Sequence, residues 1–557
     1  MCGILCSVNT RIPMAEALAS LRHRGPDDSG FAELANVQMG HARLSVTGIG
    51  NGRQPIKNET GDVIAVVNGE FYGWNKLPNH HYATDTDSEH IVHLYEEDAT
   101  NFVQKTHGEF AFVLYDQRTD TTLAARDRFG IKPLYYAPHK NGWVFASEMQ
   151  TLIASGIHAE LDVESFTYCV SHGYFKPGTT LLKNVRMVKP GHIVRIRKGT
   201  LSETLYWEPT FSETGDTEAI RPLLYEAVRK RIPSETKWCC HLSGGLDSSL
   251  IAAISTNLAG APTQCYSIAF EGKDYSELSD AQKTAEFLGA NLTVLPATTT
   301  DMLTNFPAAV LASGGPANNL HIAAKRMLAE KVRTDGIKVA LTGEGSDEIF
   351  LGYEHLRMEA GANTGAISTV AGIHAGHTPA PGGYHWSAAK NAIGKTIMAA
   401  SKTYELLPEM RGEPGPRAAS KAWMAHALAD YILIRLDDAQ NMAFSVESRL
   451  PFLDTELARA AFDMSPKTLV GDGRLEKQFL RDAFADILPP WVIAQRKRPF
   501  QAPPVAFPLE RIKNSRLNHL FDIDALSKAI ESQPEQASSA IACFMWSFAE
   551  LFDHYKL

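Results

Sequence analysis

Trp238-Cys239-Cys240-His241-Leu242-Ser243-Gly244-Gly245-Leu246-Asp247-Ser248-Ser249 is the stretch that decides how the second half of this chain folds. A short apolar run ends at two glycines and an apolar helix opens near Leu250, so the order is strand, tight turn, helix. Glycines let the backbone approach a phosphate, successive N–H groups form an anion nest, and the helix N-terminus adds its dipole. Asp247, at the turn, can hold Mg²⁺. The Gly-Lys-Ser/Thr ending of the common P-loop is absent, so this is not a kinase or GTPase signature.

The same rhythm continues downstream. Residues 265–270 read as a strand, 279–289 as a helix, 291–295 as a strand, then a long helix ends near Gly336 and Lys338-Val339-Ala340-Leu341 follows as another strand. Alternation of this kind predicts a doubly wound parallel sheet, with an apolar helix at 217–231 ahead of it and mostly helical additions beyond Tyr353. Residues 360–386, rich in Gly, Ala, Thr and Pro with three histidines, read as a loop or lid.

Upstream, to about Val194, short β-branched runs such as Val63-Ile64-Ala65-Val66-Val67 and Phe110-Ala111-Phe112-Val113-Leu114-Tyr115 predict a sheet-rich half. Segments 14–22 and 88–97 read as helices packed on those strands, which makes this half a layered α+β unit. Residues 195–216 are polar and punctuated by Ser, Thr and Gly, and read as the connection between the halves.

Composition limits the function. The 557 residues, 44% hydrophobic and 21% charged, exclude disorder and collagen and allow about two to four domains at ~150 residues each. A net charge of −9 offers phosphate backbones and anionic lipid no general attraction, so neither nucleic acid nor membrane is an expected partner. No run of about 18 apolar residues occurs, and the start lacks a basic signal-peptide region, so the expected location is cytoplasmic. Seven cysteines without a Cys-x-x-Cys pair are expected to be reduced and buried. Cys2 is the exception, because removal of Met1 would leave a thiol and a free α-amine, pKa ~8, on one residue: a nucleophile with its own base.

The rest of the first half supplies what such a nucleophile needs. Arg22-His23-Arg24-Gly25-Pro26-Asp27, His41-Ala42-Arg43-Leu44-Ser45, Asn68-Gly69-Glu70-Phe71-Tyr72 and Thr86-Asp87-Ser88-Glu89 offer a guanidinium, an amide, turn glycines and carboxylates. With Met1-Cys2-Gly3-Ile4 in front, this series resembles the class II, N-terminal-nucleophile glutamine amidotransferases. The resemblance implies an α/β/β/α sandwich in which Cys2 attacks a glutamine carboxamide. Arg43 would bind the glutamine α-carboxylate and Glu70 and Asp87 its α-amine, while Asn68 and Gly69 would form the oxyanion hole.

The second half is similar to the N-type ATP pyrophosphatases, and with Thr342-Gly343-Glu344-Gly345-Ser346-Asp347-Glu348 it resembles the asparagine synthetase family. Further matches are Ser445-Val446-Glu447-Ser448-Arg449-Leu450-Pro451, Glu476-Lys477-Gln478 and Arg496-Lys497-Arg498-Pro499-Phe500. By this resemblance residues 2–195 form a glutaminase, 196–216 a linker and 217–557 an ATP-dependent synthetase. ATP and Mg²⁺ are the expected cofactors and a homodimer is compatible with the pattern. His241, Leu242, Ser243, Gly244, Gly245, Asp247, Ser248, Ser249, Ile268, Thr342 and Gly343 would bind ATP, and Asp247 with Asp347 would bind the metal. Glu344 would be the base for incoming ammonia, and Lys477 would neutralise phosphate charge.

The family's Thr-Thr-Ile-Arg-Ala-Ser-like stretch, whose Arg binds aspartate, corresponds here to Ala317-Asn318-Asn319-Leu320-His321-Ile322. Leu320 stands where the Arg is expected. With Asn318, Asn319 and Glu344 also facing the acceptor, this departure predicts a carboxylic acid other than aspartate, as in natural-product pathways, with ammonia or a substituted amine as the nitrogen. A shifted alignment would instead put His321, Lys325 or Arg326 in the Arg's place and restore aspartate. A scaffold relative would have lost Cys2, Asp247 or Asp347, and a ring-closing synthetase would have no need of Cys2. Both are disfavoured.

Overall fold

The computed structural model describes residues 2–271, 277–353, 356, 415–471, 475–496, 503–506, 508–521, 523–531 and 535–557. The loop read at 360–386, and residues 497–500 of the basic motif, lie outside the described residues.

The first half is two antiparallel six-stranded sheets, face to face. One runs β10 (Arg186–Met187), β8 (Tyr135–His139), β9 (Gly142–Ala146), β1 (Gly3–Val8), β3 (Val37–Arg43), β2 (Asp28–Glu33). The other runs β12 (Thr200–Leu205), β11 (His192–Arg197), β7 (Thr121–Arg126), β6 (Gly108–Asp116), β5 (Val63–Phe71), β4 (Ile56–Lys57). Period-two alternation sorts their side chains. Ile4, Cys6 and Val8 join Ile64, Val66, Ala111 and Val113 in the core between the sheets. Leu5 faces outward onto α1 (Met14–Ala19), α3 (Met149–Ala154) and α4 (Val163–His172), among Met14, Leu152 and Phe166. Val63, Ala65 and Val67 face α2 (His90–Glu97) through Ile91 and Val92. Four layers result, and strands covered on both faces read as continuous apolar runs.

The second half is a parallel sheet ordered β15 (Asn291–Ala297), β14 (Gln264–Phe270), β13 (Trp238–His241), β16 (Val339–Leu341), β17 (Glu447–Arg449). The order reverses between β13 and β16, which makes the strand ends there the switch point of a doubly wound sheet. Helices α5 (Ile220–Arg231), α6 (Leu246–Ala259), α7 (Leu278–Leu288), α8 (Thr299–Ser313) and α9 (His321–Thr334) surround it. Leu242, Leu250, Val339 and Leu341 share one apolar core, while Cys239, Tyr266, Leu328 and Ala340 share another. All seven cysteines are unpaired and buried. No described helix is long and apolar enough to cross a membrane.

Residues 196–216 are more structured than a connection. Their first part is β12, paired with β11 from His192↔Leu205 to Arg197↔Thr200. As an edge strand exposed on one side it carries polar residues, which disguised it as linker. A π-helical stretch, Met424–Asp438, was likewise not anticipated, and it brings Asp430, Arg435, Asp437 and Asp438 into the interior.

Buried charges join the halves. Glu109 Oε1, on β6, accepts Nε of Arg231 from α5 at 2.7 Å and the Leu450 N–H at 3.0 Å, and its Oε2 lies 3.4 Å from Lys132 Nζ. Arg231 reaches Asp454 at 3.0 Å, and Lys132 donates to Ser448 O at 3.1 Å. Removing one member of such a group leaves its partners charged and dry. Glu109→Gln is therefore expected to lower stability by about 3–5 kcal/mol, read as a fall in the urea midpoint. An unchanged midpoint would mean that Arg231 and Lys132 are satisfied without it.

Candidate active sites

Cys2 lies at the start of β1, 7% exposed, because the strand that follows it is central to its sheet. Its backbone N–H donates to Asn68 Oδ1 at 3.0 Å, and its Sγ faces Leu44 O at 4.0 Å. Burial pushes the thiol up from its ordinary pKa. Asn68 thus points its amide at the nucleophile, and its Nδ2 is buried with no hydrogen-bond partner. A buried donor left unpaired costs about 1–3 kcal/mol, which is the signature of a place kept for a ligand oxygen. Gly69 follows with φ +151°, and a Cβ there would sit 2.1 Å from Glu109 O, so only glycine fits.

Arg43, at the end of β3, donates to Gly48 O at 2.6 Å and Thr47 O at 3.2 Å, which fixes the guanidinium and leaves donors over. Asp87 Oδ2 accepts the Phe71 N–H at 2.6 Å, and Glu70 Oε1 accepts Thr47 Oγ1 at 2.7 Å. Burial raises both carboxyls, and the charge of Glu70 pushes Asp87 further, so the pair is short of positive charge.

Arg24 and Arg449, which carried no role in the sequence reading, complete this pocket. Arg24 is 1% exposed, donates to Cys2 O at 3.1 Å and grips Asp438 at 2.9 and 3.2 Å. Arg449, on β17, lies 2.7 Å from Glu447 and 3.1 Å from Glu70. The signal for Arg449 was present in its motif, where Glu447 and Arg449 stand between apolar Val446 and Leu450.

The second site forms at the β13/β16 switch point. Gly244 has φ +86°, and a Cβ there would sit 2.5 Å from the Asp280 backbone. Ser243 N–H donates to Ser248 Oγ at 3.1 Å, and Gly245 N–H donates to Ser243 Oγ at 3.3 Å, which sets the turn. Lys477, 1% exposed, lies 2.6 Å from both oxygens of Asp247 and 2.7 Å from Asp347 Oδ1. Burial lowers its pKa and the two carboxylates raise it by more, so it stays charged. Two carboxylates from separate strand ends converge on one cation position, a donor set that fits a magnesium–phosphate centre. Thr342 Oγ1 and both ring nitrogens of His241 are buried without hydrogen-bond partners. Leu242 is core, its N–H bonded to Tyr266 O at 2.8 Å, while Ile268 lies part-buried on β14, Ser249 is fully buried, and Gly343 packs against Asp247.

The acceptor stretch divides. Leu320 is 1% exposed within the apolar cluster of Ala317 and Ile322. Asn318 Oδ1 is buried without a hydrogen-bond partner, and Asn319 Oδ1 accepts the His321 N–H at 3.0 Å. Arg326 stacks on Phe444, 4.8 Å from the ring centroid. The cation that faces Glu344 is Lys325, at 2.9 Å.

The chain matches the family model for asparagine synthase over residues 219–539 and that for a glutamine amidotransferase domain over residues 1–207. It belongs to the asparagine synthase family. Amidase chry2 of Gibberella zeae is 33% identical over 62% of this chain, which spans 56% of that protein's length. The glutamine-hydrolyzing asparagine synthetase of Asparagus officinalis is 29% identical over 90% of this chain and 77% of its own, and asparagine synthetase 3 of Bacillus subtilis is 29% identical over 90% and 87%. Among solved structures, glutamine phosphoribosylpyrophosphate amidotransferase of B. subtilis overlaps 53% of this chain and 81% of its own at 14% identity, with a TM-score of 0.30, too remote to carry an argument.

Burial, and then the charge of Lys325, hold His241 and His321 down at about 3. Each is neutral when folded but protonates near 6.5 when unfolded, so between these values the unfolded chain binds more protons and stability falls as pH falls. Each such group contributes about 1.4 kcal/mol per pH unit in that window. His321→Gln should make the loss of thermal midpoint between pH 6.5 and pH 4 shallower, whereas an identical slope would place a charged imidazole in the folded state.

Proposed function

We propose that residues 2–195 hydrolyse glutamine and residues 217–557 use MgATP to adenylate a carboxylic acid, which the released nitrogen converts to an amide with AMP and pyrophosphate as by-products. One observation carries this reading. A single chain holds a buried thiol beside an unpaired amide donor and, at a sheet switch point, a buried lysine clamped by two carboxylates.

With Met1 removed, the α-amine of Cys2 takes the thiol proton and Sγ attacks the glutamine carboxamide. Asn68 Nδ2 and the Gly69 N–H receive the oxyanion, each worth ~3 kcal/mol. Arg43 takes the α-carboxylate, and the α-ammonium relieves the charge deficit of Glu70 and Asp87. In the second site Asp247 and Asp347 would hold Mg²⁺, which supplies charge neutralisation at the phosphates. Lys477 would contact the same phosphates, and the nest of 243–249 with Thr342 and His241 would seat the nucleotide. Glu344 faces the acyl group, where it receives a proton from the attacking nitrogen.

The acceptor is a carboxylic acid other than aspartate. What supports this is the apolar Leu320 together with the engagement of Lys325 by Glu344, since an acceptor's second carboxylate would have to compete for that ammonium. The relatedness to an amidase agrees with such an acceptor. Aspartate is the alternative, and it requires Lys325 to leave Glu344 for the acceptor's second carboxylate.

Cys2→Ala should abolish glutamine-dependent amide synthesis and spare synthesis from ammonium, while Asp247→Asn should do the reverse to the partial reactions, ending pyrophosphate release but leaving glutaminase activity. Loss of both activities in Cys2→Ala would refute the division of labour. Pyrophosphate release with MgATP and glutamine is expected to be near background with aspartate and to rise with larger, less polar acids. Robust asparagine formation would establish aspartate instead.

A further inference from the structure

A second polar cluster lies in the first half, on residues that neither site uses. Glu59 sits in the turn between β4 and β5, His80 in the 72–86 loop, and His93 and Glu96 on one face of α2 at i, i+3 spacing. One ligand atom from each lies within 4.8 Å of all the others. His80 Nδ1 is 3.1 Å from Glu59 Oε1 and 3.7 Å from Glu96 Oε2. His93 Nδ1 is 3.5 Å from Glu59 Oε2 and 3.7 Å from Glu96 Oε2. Metal–ligand bonds of ~2.1 Å at tetrahedral angles put ligand atoms about 3.4 Å apart, and the four prospective ligand atoms, all within 4.8 Å of one another, are gathered near that spacing.

Two further observations point to a cation. His93 is fully buried, and its Nδ1, aimed into the cluster, takes no hydrogen bond; Glu96 Oε2 beside it is buried and takes none either. Three of the prospective ligands also have an outer hydrogen-bond partner of the kind that orients metal-bound groups. His80 Nε2 lies 3.0 Å from Glu97 Oε1. Glu96 Oε1 accepts Asn58 Nδ2 at 2.7 Å, and Glu59 Oε1 accepts the His81 N–H at 2.8 Å. Two imidazoles and two carboxylates suit Zn²⁺, and four protein ligands leave no open position, so the site is structural.

We propose that Glu59, His80, His93 and Glu96 bind one structural Zn²⁺ that clips the 72–86 loop and the β4–β5 turn to α2. The clip would steady the segment just ahead of α2, where Glu89 accepts the N–H groups of Ala83 and Thr84 at 2.6 Å each and where Asp87 stands.

The full chain, stripped by chelator, incubated with ZnCl₂ and desalted, should retain one more zinc per chain by elemental analysis than Glu59→Gln or His80→Gln treated in the same way. Zinc should also raise the thermal midpoint of the unaltered chain by several degrees and leave those of the variants in place. His93→Ala removes a core side chain and risks misfolding, so the part-exposed Glu59 and His80 carry the test, with circular dichroism verifying their fold. Equal zinc retention in all three proteins, or no zinc retained and no thermal shift in the unaltered chain, would overturn the site. Neither readout depends on glutamine or ATP turnover, so the result stands apart from the proposed function.

Discussion

Arg449 is the buried charge that ties the two halves together. Its guanidinium leaves β17 of the parallel sheet and lies between Glu447 and Glu70, so it stands in the pocket of the other half. Its carbonyl, on the other side, accepts the Thr342 N–H at 3.1 Å and thereby ties down the start of the loop that carries Glu344 and Asp347. One buried residue therefore touches both candidate sites. Burying a guanidinium costs several kcal/mol unless it is fully paired, and here its pairing requires both halves at once. Arg24 with Asp438, Lys132 with Ser448 O and Arg231 with Glu109 repeat the arrangement, so the halves cannot part without stranding charge.

The two pockets share a design. In each, polar groups that a folded protein normally satisfies are left open at the place a ligand would fill: Asn68 Nδ2 in one, Thr342 Oγ1 and the His241 ring in the other. Beside these openings stand Gly69 and Gly244, at positions where any Cβ would collide with backbone. The excess of charge differs in sign of remedy. Glu70 and Asp87 want a cation from the ligand, whereas Asp247 and Asp347 already share Lys477. A metal held there would share those carboxylates with the Lys477 ammonium.

Much of this was legible in the sequence, and the reason is local. Strands buried on both faces leave continuous apolar runs, and the two glycine turns and the amide-bearing strand end are written in consecutive residues, so β5, β6, β13 and the motifs at Cys2, Asn68 and Ser243 could be read directly. What was not legible depends on distance in the chain. The edge strand β12 looks polar because one side is solvent. The salt bridges Arg24–Asp438, Arg231–Glu109 and Arg449–Glu70 join residues more than a hundred positions apart. The cluster of Glu59, His80, His93 and Glu96 shows only its i, i+3 half on α2, since the other two groups arrive on separate loops.

Leu320 and Lys325 show how a single register assumption decides a functional reading. Counting along the chain places Leu320 against an expected arginine, yet the fold turns its side chain into the apolar core at the head of α9. The α9 residue that does face Glu344 comes five positions later, and it is a lysine. An arginine offers a planar fork that grips a carboxylate by two parallel bonds, whereas a lysine is a point charge on a flexible stem that a nearby carboxylate can occupy entirely. With Glu344 at 2.9 Å and Asp437 adding to the negative charge around Lys325, that ammonium is already matched from the protein side. Binding a second carboxylate from an acceptor would leave three anions around one cation in a buried place, a cost that a monocarboxylic acid does not incur. The physical argument for a less polar acceptor therefore rests on the pairing of Lys325 more than on the absence of the arginine.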